Sequence, residues 1–130
     1  SDFLRASQTA RLICELLGCT EVRLTKALRE RYFGIYEGQP SSEYEKIWLA
    51  DQKDSQRVEN GVESVAAVVD RTSALIVELE QRYTNQTILL VSHGDTIQML
   101  RGAFQKVEPP AHQAITHLKN AELMQLTLNV

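Results

Sequence analysis

Between Thr87 and Val91 the chain sets four aliphatic side chains in a row. It then stops at Ser92-His93-Gly94-Asp95 and resumes with Ile97, Leu100 and Phe104 at helical spacing. An uninterrupted apolar run of this length suits a strand buried on both faces, as in parallel sheets covered by helices. A strand that turns directly into a helix points to an α/β layer architecture. In such folds ligands bind beyond the carboxyl ends of the strands, often on the free amides of the following helix. His93 occupies that position, and Gly94 has no Cβ to hold a ligand away from the backbone.

The other periodicities agree with this architecture. Phe3, Ala6, Ala10, Ile13, Cys14 and Leu17 recur at helical spacing behind Ser1 or Asp2 as cap, and Gly18 stops the helix. Glu21 to Thr25 reads as a short strand alternating Val22 and Leu24. From Lys26 to Pro40 the period fails, which predicts an irregular loop. Ser42 and Glu45 form a capping-box pattern for a short helix carrying Tyr44, Ile47 and Trp48. Asn60 caps a long helix with Val62, Val65, Val69, Ile76, Leu79 and Tyr83 on one stripe, and Glu63 reads as its cap partner. Pro109-Pro110 breaks the chain, and ELMQLTL, residues 122–128, reads as an edge strand.

Composition excludes several functions. No stretch approaches the roughly 20 apolar residues that span a bilayer, so no membrane is expected. A formal charge of −3 argues against a nucleic-acid binder, which would carry a basic face. Cys14 and Cys19 are too few for a disulfide framework and predict reduced thiols in the core of a cytoplasmic protein. His112 and His117 lack further ligands at suitable spacing, so no zinc site is expected.

Three residues could carry chemistry. His93 can meet a phosphoryl oxygen as a cation or move a proton, or it can simply bond its own loop. Arg5, in the first turn of helix 1, can add a bidentate fork to helix amides as a phosphate clamp; surface arginines are also common. Glu30 precedes the aromatics Tyr32, Phe33 and Tyr36 and can act as a general acid, or it can be one charge of the solvated run Arg29-Glu30-Arg31. Ser92, His93 and Asp95 do not make a hydrolase triad, because adjacent strand residues point to opposite faces.

Taken together, SDFLRASQTA, LRERYFGIYEG, NGVES and VSHGDT resemble, in order, the motifs of the histidine phosphatase superfamily, the phosphoglycerate mutase-like proteins. The resemblance covers essentially the whole chain. It implies an α/β sandwich with a mostly parallel sheet flanked by helices, and a phosphohistidine mechanism without metal or other cofactor. His93 then corresponds to the second histidine, Arg5 to the second arginine and Glu30 to the proton donor, with Arg5, His93 and Gly94 binding the substrate.

The family's R-H-G motif, which carries the nucleophile on a first central strand, has no counterpart in this chain. Residues 1–130 are therefore expected to form a partial domain, the C-terminal two-thirds, incomplete at the N-terminus. A preceding segment or a second chain is needed to complete the sheet. The expected function is hydrolysis of a small phosphomonoester. The short stretch between Gly38 and Gly61 leaves little room for the insertion typical of mutases. A phosphoglycerate mutase and a non-catalytic phosphate-binding module are the alternatives.

Overall fold

The computed structural model describes residues 1–107 and 111–126. Four α-helices carry the fold: α1 (Leu4–Leu17), α2 (Tyr44–Asp51), α3 (Val65–Arg82) and α4 (Gly94–Phe104). Short 3-10 turns lie at Lys26–Leu28, Gly34–Tyr36, Ser41–Glu43 and Ala111–Ala114.

Helix boundaries follow local chemistry, though not always at the expected residue. Gly18, at φ 67°, ends α1, donating to Glu15 O while Cys19 N donates to Cys14 O. This left-handed reversal brings Cys19 back beside the helix, where it is paired with Cys14 as a disulfide, Cα atoms 5.0 Å apart. The expectation of reduced thiols is corrected accordingly. Neither Ser1 nor Asp2 caps α1, which starts after Phe3; Asp2 is held by Arg29 instead. Ser64 caps α3 through Ala67 N, whereas Asn60 sits in the preceding turn at φ 55°. No capping box forms ahead of α2.

The buried face of α3 is Val65, Val68, Thr72, Leu75 and Leu79, one residue away from the expected Val69 and Ile76. Burying each aliphatic side chain contributes about 1.5–3 kcal/mol, against about 1 kcal/mol for a cap, so this face fixes the helix. Val65 and Val68 pack with Met99 of α4, while Leu28 and Leu90 close over Leu75 and Leu79. A third cluster, Phe33, Ile47 and Val62, joins α2 to the loop that precedes it.

The expected sheet is not formed among the described residues, where the single β-bridge pairs Phe33 with Val62. Residues 21–25 and 87–91 belong to no ladder, and Ile88 and Leu89 stay 41% and 42% exposed. A helix satisfies its own amides, but a strand exists only beside a partner. Residues 127–128 of the expected edge strand, and Pro109-Pro110, lie outside the described residues.

Candidate active site

Helix α4 begins where residues 87–93 meet the loop around Glu30. Its N-cap is His93, and Gly94 is its first residue. A Cβ on Gly94 would meet no heavy atom within 4 Å, so packing does not require glycine there. The free amides and the positive helix end favour an anion at this point.

His93 is 7% exposed, and its Nε2 lies 2.9 Å from Ser1 Oγ. Phe3 N donates to that same hydroxyl, which keeps both its proton and a second lone pair for the imidazole. The contact fits either neutral tautomer: Nε2 accepts from the Ser1 hydroxyl when the ring proton is on Nδ1, and donates to it when the proton is on Nε2. Burial, followed by the charge of Arg5, lowers the His93 pKa from 6.5 to about 4. The ring is therefore neutral near pH 7, which narrows the two charge states the sequence allowed.

Phe3 gathers the neighbouring cations. Its ring meets the His93 imidazole edge-on at 5.4 Å, and the guanidinium carbons of Arg5 and Arg29 lie 5.4 Å and 5.1 Å from its centroid. Arg29 is bound to Asp2 and Arg71 to Glu63, but Arg5 has no acidic partner among the described residues. Arg5 is thus a cation left for a ligand.

Glu30 is tied to the same helix end. Its Oε1 accepts from Thr96 N and Thr96 Oγ1, both at 3.2 Å, and from Arg31 N at 3.0 Å. Oε2 takes part in none of these bonds. One carboxylate oxygen is thereby anchored, and the other is left to hold or deliver a proton.

Arg5 and Glu30 line one open cleft of about 850 Å³, beside Lys26, Arg29, Glu37 and Arg71. His93 abuts it through Phe3. A volume of this order suits a small metabolite. The structure thus brings Arg5, Glu30, His93 and Gly94 to one end of α4. Ser92 and Asp95 are turned to other work: Ser92 Oγ donates to Leu28 O, and Asp95 accepts from the Trp48 indole.

Some contributors escaped the sequence reading. Arg31 belongs to no solvated run: it is 1% exposed, forked onto Asp51 at 2.6 and 2.9 Å, and donates to Glu63 O. Glu63 does not cap α3. It accepts from Arg71 and from Tyr32 N, holding the loop that carries Glu30. Ser1 and Phe3 gave no signal beyond helix capping and apolar spacing.

The chain is 27% identical over 119 residues to phosphoglycerate mutase-like protein 4 of Arabidopsis thaliana, covering 87% of this chain and 50% of that protein. It is 24% identical over 107 residues to the metal-independent phosphoserine phosphatase of the same plant, covering 77% and 44%. A mycobacterial glucosyl-3-phosphoglycerate phosphatase solved with inorganic phosphate superposes with a TM-score of 0.76 at 28% identity, over 93% of this chain and 64% of that one. The chain thus spans about half the length of these curated relatives. Residues 1–129 match the model of the histidine phosphatase superfamily, branch 1, and the chain belongs to that α/β superfamily.

Proposed function

We propose that this chain supplies the phosphate-clamping and proton-donating part of a phosphatase acting on a small phosphomonoester. One observation carries the reading: Arg5 and His93 share the ring of Phe3 at the start of α4, while Glu30 is bonded to the same turn.

In this mechanism a histidine on an R-H-G segment attacks the phosphorus. The ester P–O bond breaks, and its electron pair stays on the leaving oxygen. Arg5, the His93 imidazole and the amide at Gly94 hold the phosphoryl oxygens as their charge redistributes. Glu30 protonates the departing alcohol and then takes a proton from the water that hydrolyses the phosphohistidine. The segment bearing R-H-G, from the same polypeptide or another, also supplies the strand that pairs with residues 87–91, so residues 1–130 act as a partial domain. The relatives named as phosphatases support hydrolysis over mutase chemistry.

The test joins this chain to an R-H-G segment and exposes it to radiolabelled phosphomonoesters. Acid-labile label on histidine, phosphate release and no interconversion of 2- and 3-phosphoglycerate are expected. Interconversion would favour the mutase, and phosphate binding without turnover would favour a binding module.

A further inference from the structure

A second, smaller cavity of about 170 Å³ lies along α4, between Trp48 of α2 and the turn at Ala111–Ala114. Gln98 and His112, each 4% exposed, line it. Each keeps a buried polar atom without a partner among the described residues, Gln98 Oε1 and His112 Nδ1. The Gln98 amide cannot be reversed, because Nε2 donates to the carbonyls of His112 at 3.0 Å and Ile115 at 2.9 Å. Its oxygen is therefore an acceptor in need of a donor.

Asp95 adds a carboxylate to the same wall. Its Oδ2 accepts from the Trp48 indole at 2.9 Å, and no cation pairs with it among the described residues. Arg31, whose charge reaches it, is committed on both forks to Asp51. Burial holds the Asp95 carboxyl above its ordinary range and His112 below its own. The neutral His112 ring turns Nδ1 toward an occupant as an acceptor or a donor, according to its tautomer.

The cavity thus presents acceptors and the Asp95 carboxyl, which has no ion-pair partner among the described residues, beside the His117 imidazole, while its indole donor is already used. An occupant must bring several N–H donors and a positive charge. Water supplies donors without charge. A metal ion is a poor match, because no three His, Cys, Asp or Glu side chains converge among the described residues. The small volume admits a short aminoalkyl group.

We propose that this cavity binds the primary ammonium group of a small amine, held by Asp95, Gln98 Oε1 and His112. Within the phosphoryl-transfer reading it receives the amino end of an amino-alcohol phosphate. Glu30 bonds Thr96, next to Asp95, and Tyr44 of the cleft meets Trp48 of the cavity edge-on at 6.3 Å. The leaving alcohol and its amine would thus lie on adjoining parts of one helix end. The role as a substrate subsite rests on the proposed function; the ligand class does not.

The experiment titrates the 130-residue chain with ethylammonium, ethanol, inorganic phosphate, 2-aminoethyl phosphate and ethyl phosphate. It follows the imidazole resonances of the three histidines and the emission of the single tryptophan. Ethylammonium is expected to shift His112 and Trp48 saturably, binding at least about tenfold tighter than ethanol, as a charge-assisted contact requires. Asp95→Asn should abolish that preference without lowering phosphate affinity. Retention of phosphate binding by Asp95→Asn also shows that the variant folds. In the wild-type chain 2-aminoethyl phosphate should bind more tightly than ethyl phosphate.

No saturable shift with ethylammonium, equal binding of ethanol, or a preference that survives Asp95→Asn overturns the ammonium site. Equal binding of the two phosphate esters, with the ethylammonium result intact, overturns the subsite role. Failure of inorganic phosphate to perturb His93 counts against the phosphoryl reading and leaves the cavity assignment standing.

Discussion

His93 and Gly94 are adjacent, yet physical chemistry separates what they do for stability from what they do for a ligand. Folding lowers the His93 pKa from 6.5 to about 4, chiefly through burial and secondly through Arg5. The unfolded chain therefore binds a proton that the folded chain refuses in that interval. This contribution to stability is complete above about pH 6.5 and is lost as the pH falls through about 4. Urea midpoints measured from pH 7.5 to pH 4 should decline across this window, and His93→Gln should flatten the decline; an unchanged slope in the variant would assign it to other groups. Gly94 makes the opposite separation. Because a methyl there meets nothing in the chain, Gly94→Ala should leave the thermal midpoint within about 2 °C, consistent with a substitution that breaks no contact. The same methyl stands where an anion must approach the α4 amides, so phosphate affinity should fall about tenfold or more, as loss of a good oxyanion donor would imply. At this scale the sequence was most informative for residues whose chemistry is local. Histidine beside glycine at a helix start is readable from four letters. The Ser1 hydroxyl on Nε2 joins residues 92 positions apart and leaves no mark in any spacing.

The loop from Lys26 to Pro40 looked irregular because it has no period, and the structure shows what replaces periodicity as its source of order. Gly34, at φ 58°, lies against the backbone of Asn60 and Gly61, and any Cβ there collides with the Asn60 carbonyl oxygen. That close approach allows Ile35 N to donate to Asn60 O and Phe33 to bridge Val62. Gly34→Ala should therefore cost about 2–5 kcal/mol, combining left-handed strain with a clash against backbone. Gly38, also left-handed at φ 74°, has nothing within 4 Å, so Gly38→Ala should cost only about 1–2 kcal/mol. Denaturant unfolding of the two variants side by side checks the difference, and equal losses would show that the approach to Asn60 is unimportant. The other anchor is the ion pair between Arg31 and Asp51, which fastens this loop to α2. Asp51→Asn leaves the Arg31 guanidinium buried without its counter-ion and should cost about 3–5 kcal/mol. A loss below about 1 kcal/mol in the same unfolding experiment would mean that water replaces the carboxylate. Neither anchor could be inferred from pattern. Arg29-Glu30-Arg31 reads as a solvated run, and only the partner 20 residues on makes Arg31 a core residue.

At the scale of the molecule, the helices were legible and no sheet forms among the described residues, and one physical distinction explains both results. Helices α1, α3 and α4 carry their own hydrogen bonds, so stops such as Gly18 and the apolar faces locate them. Their exact faces can still slip by a residue, as Val68 and Leu75 did relative to Val69 and Ile76. The run at 87–91 has the composition of a central strand, but composition supplies no partner. In this chain Leu90 packs on α3, while Ile88 and Leu89 remain partly exposed and the backbone joins no ladder. Backbone groups shielded from water without a partner each cost about 1–3 kcal/mol, so this run is held by side chains on one side and open on the other. Native-state hydrogen exchange should separate the two situations. In the 130-residue chain alone, the amides of α3 should be the most protected, and those of 87–91 should exchange near the rate of an open segment. Addition of a segment carrying R-H-G and a strand should slow the amides of 87–91 by at least about a hundredfold, as ladder formation requires. Under the proposed function the same addition should raise phosphate affinity, because completing the sheet fixes the start of α4 against Arg5 and Glu30. Strong protection of 87–91 in the isolated chain would instead mean that another copy of the chain, or a different strand of this one, already occupies the neighbouring position. The segment would then have to displace that partner before the site could be completed.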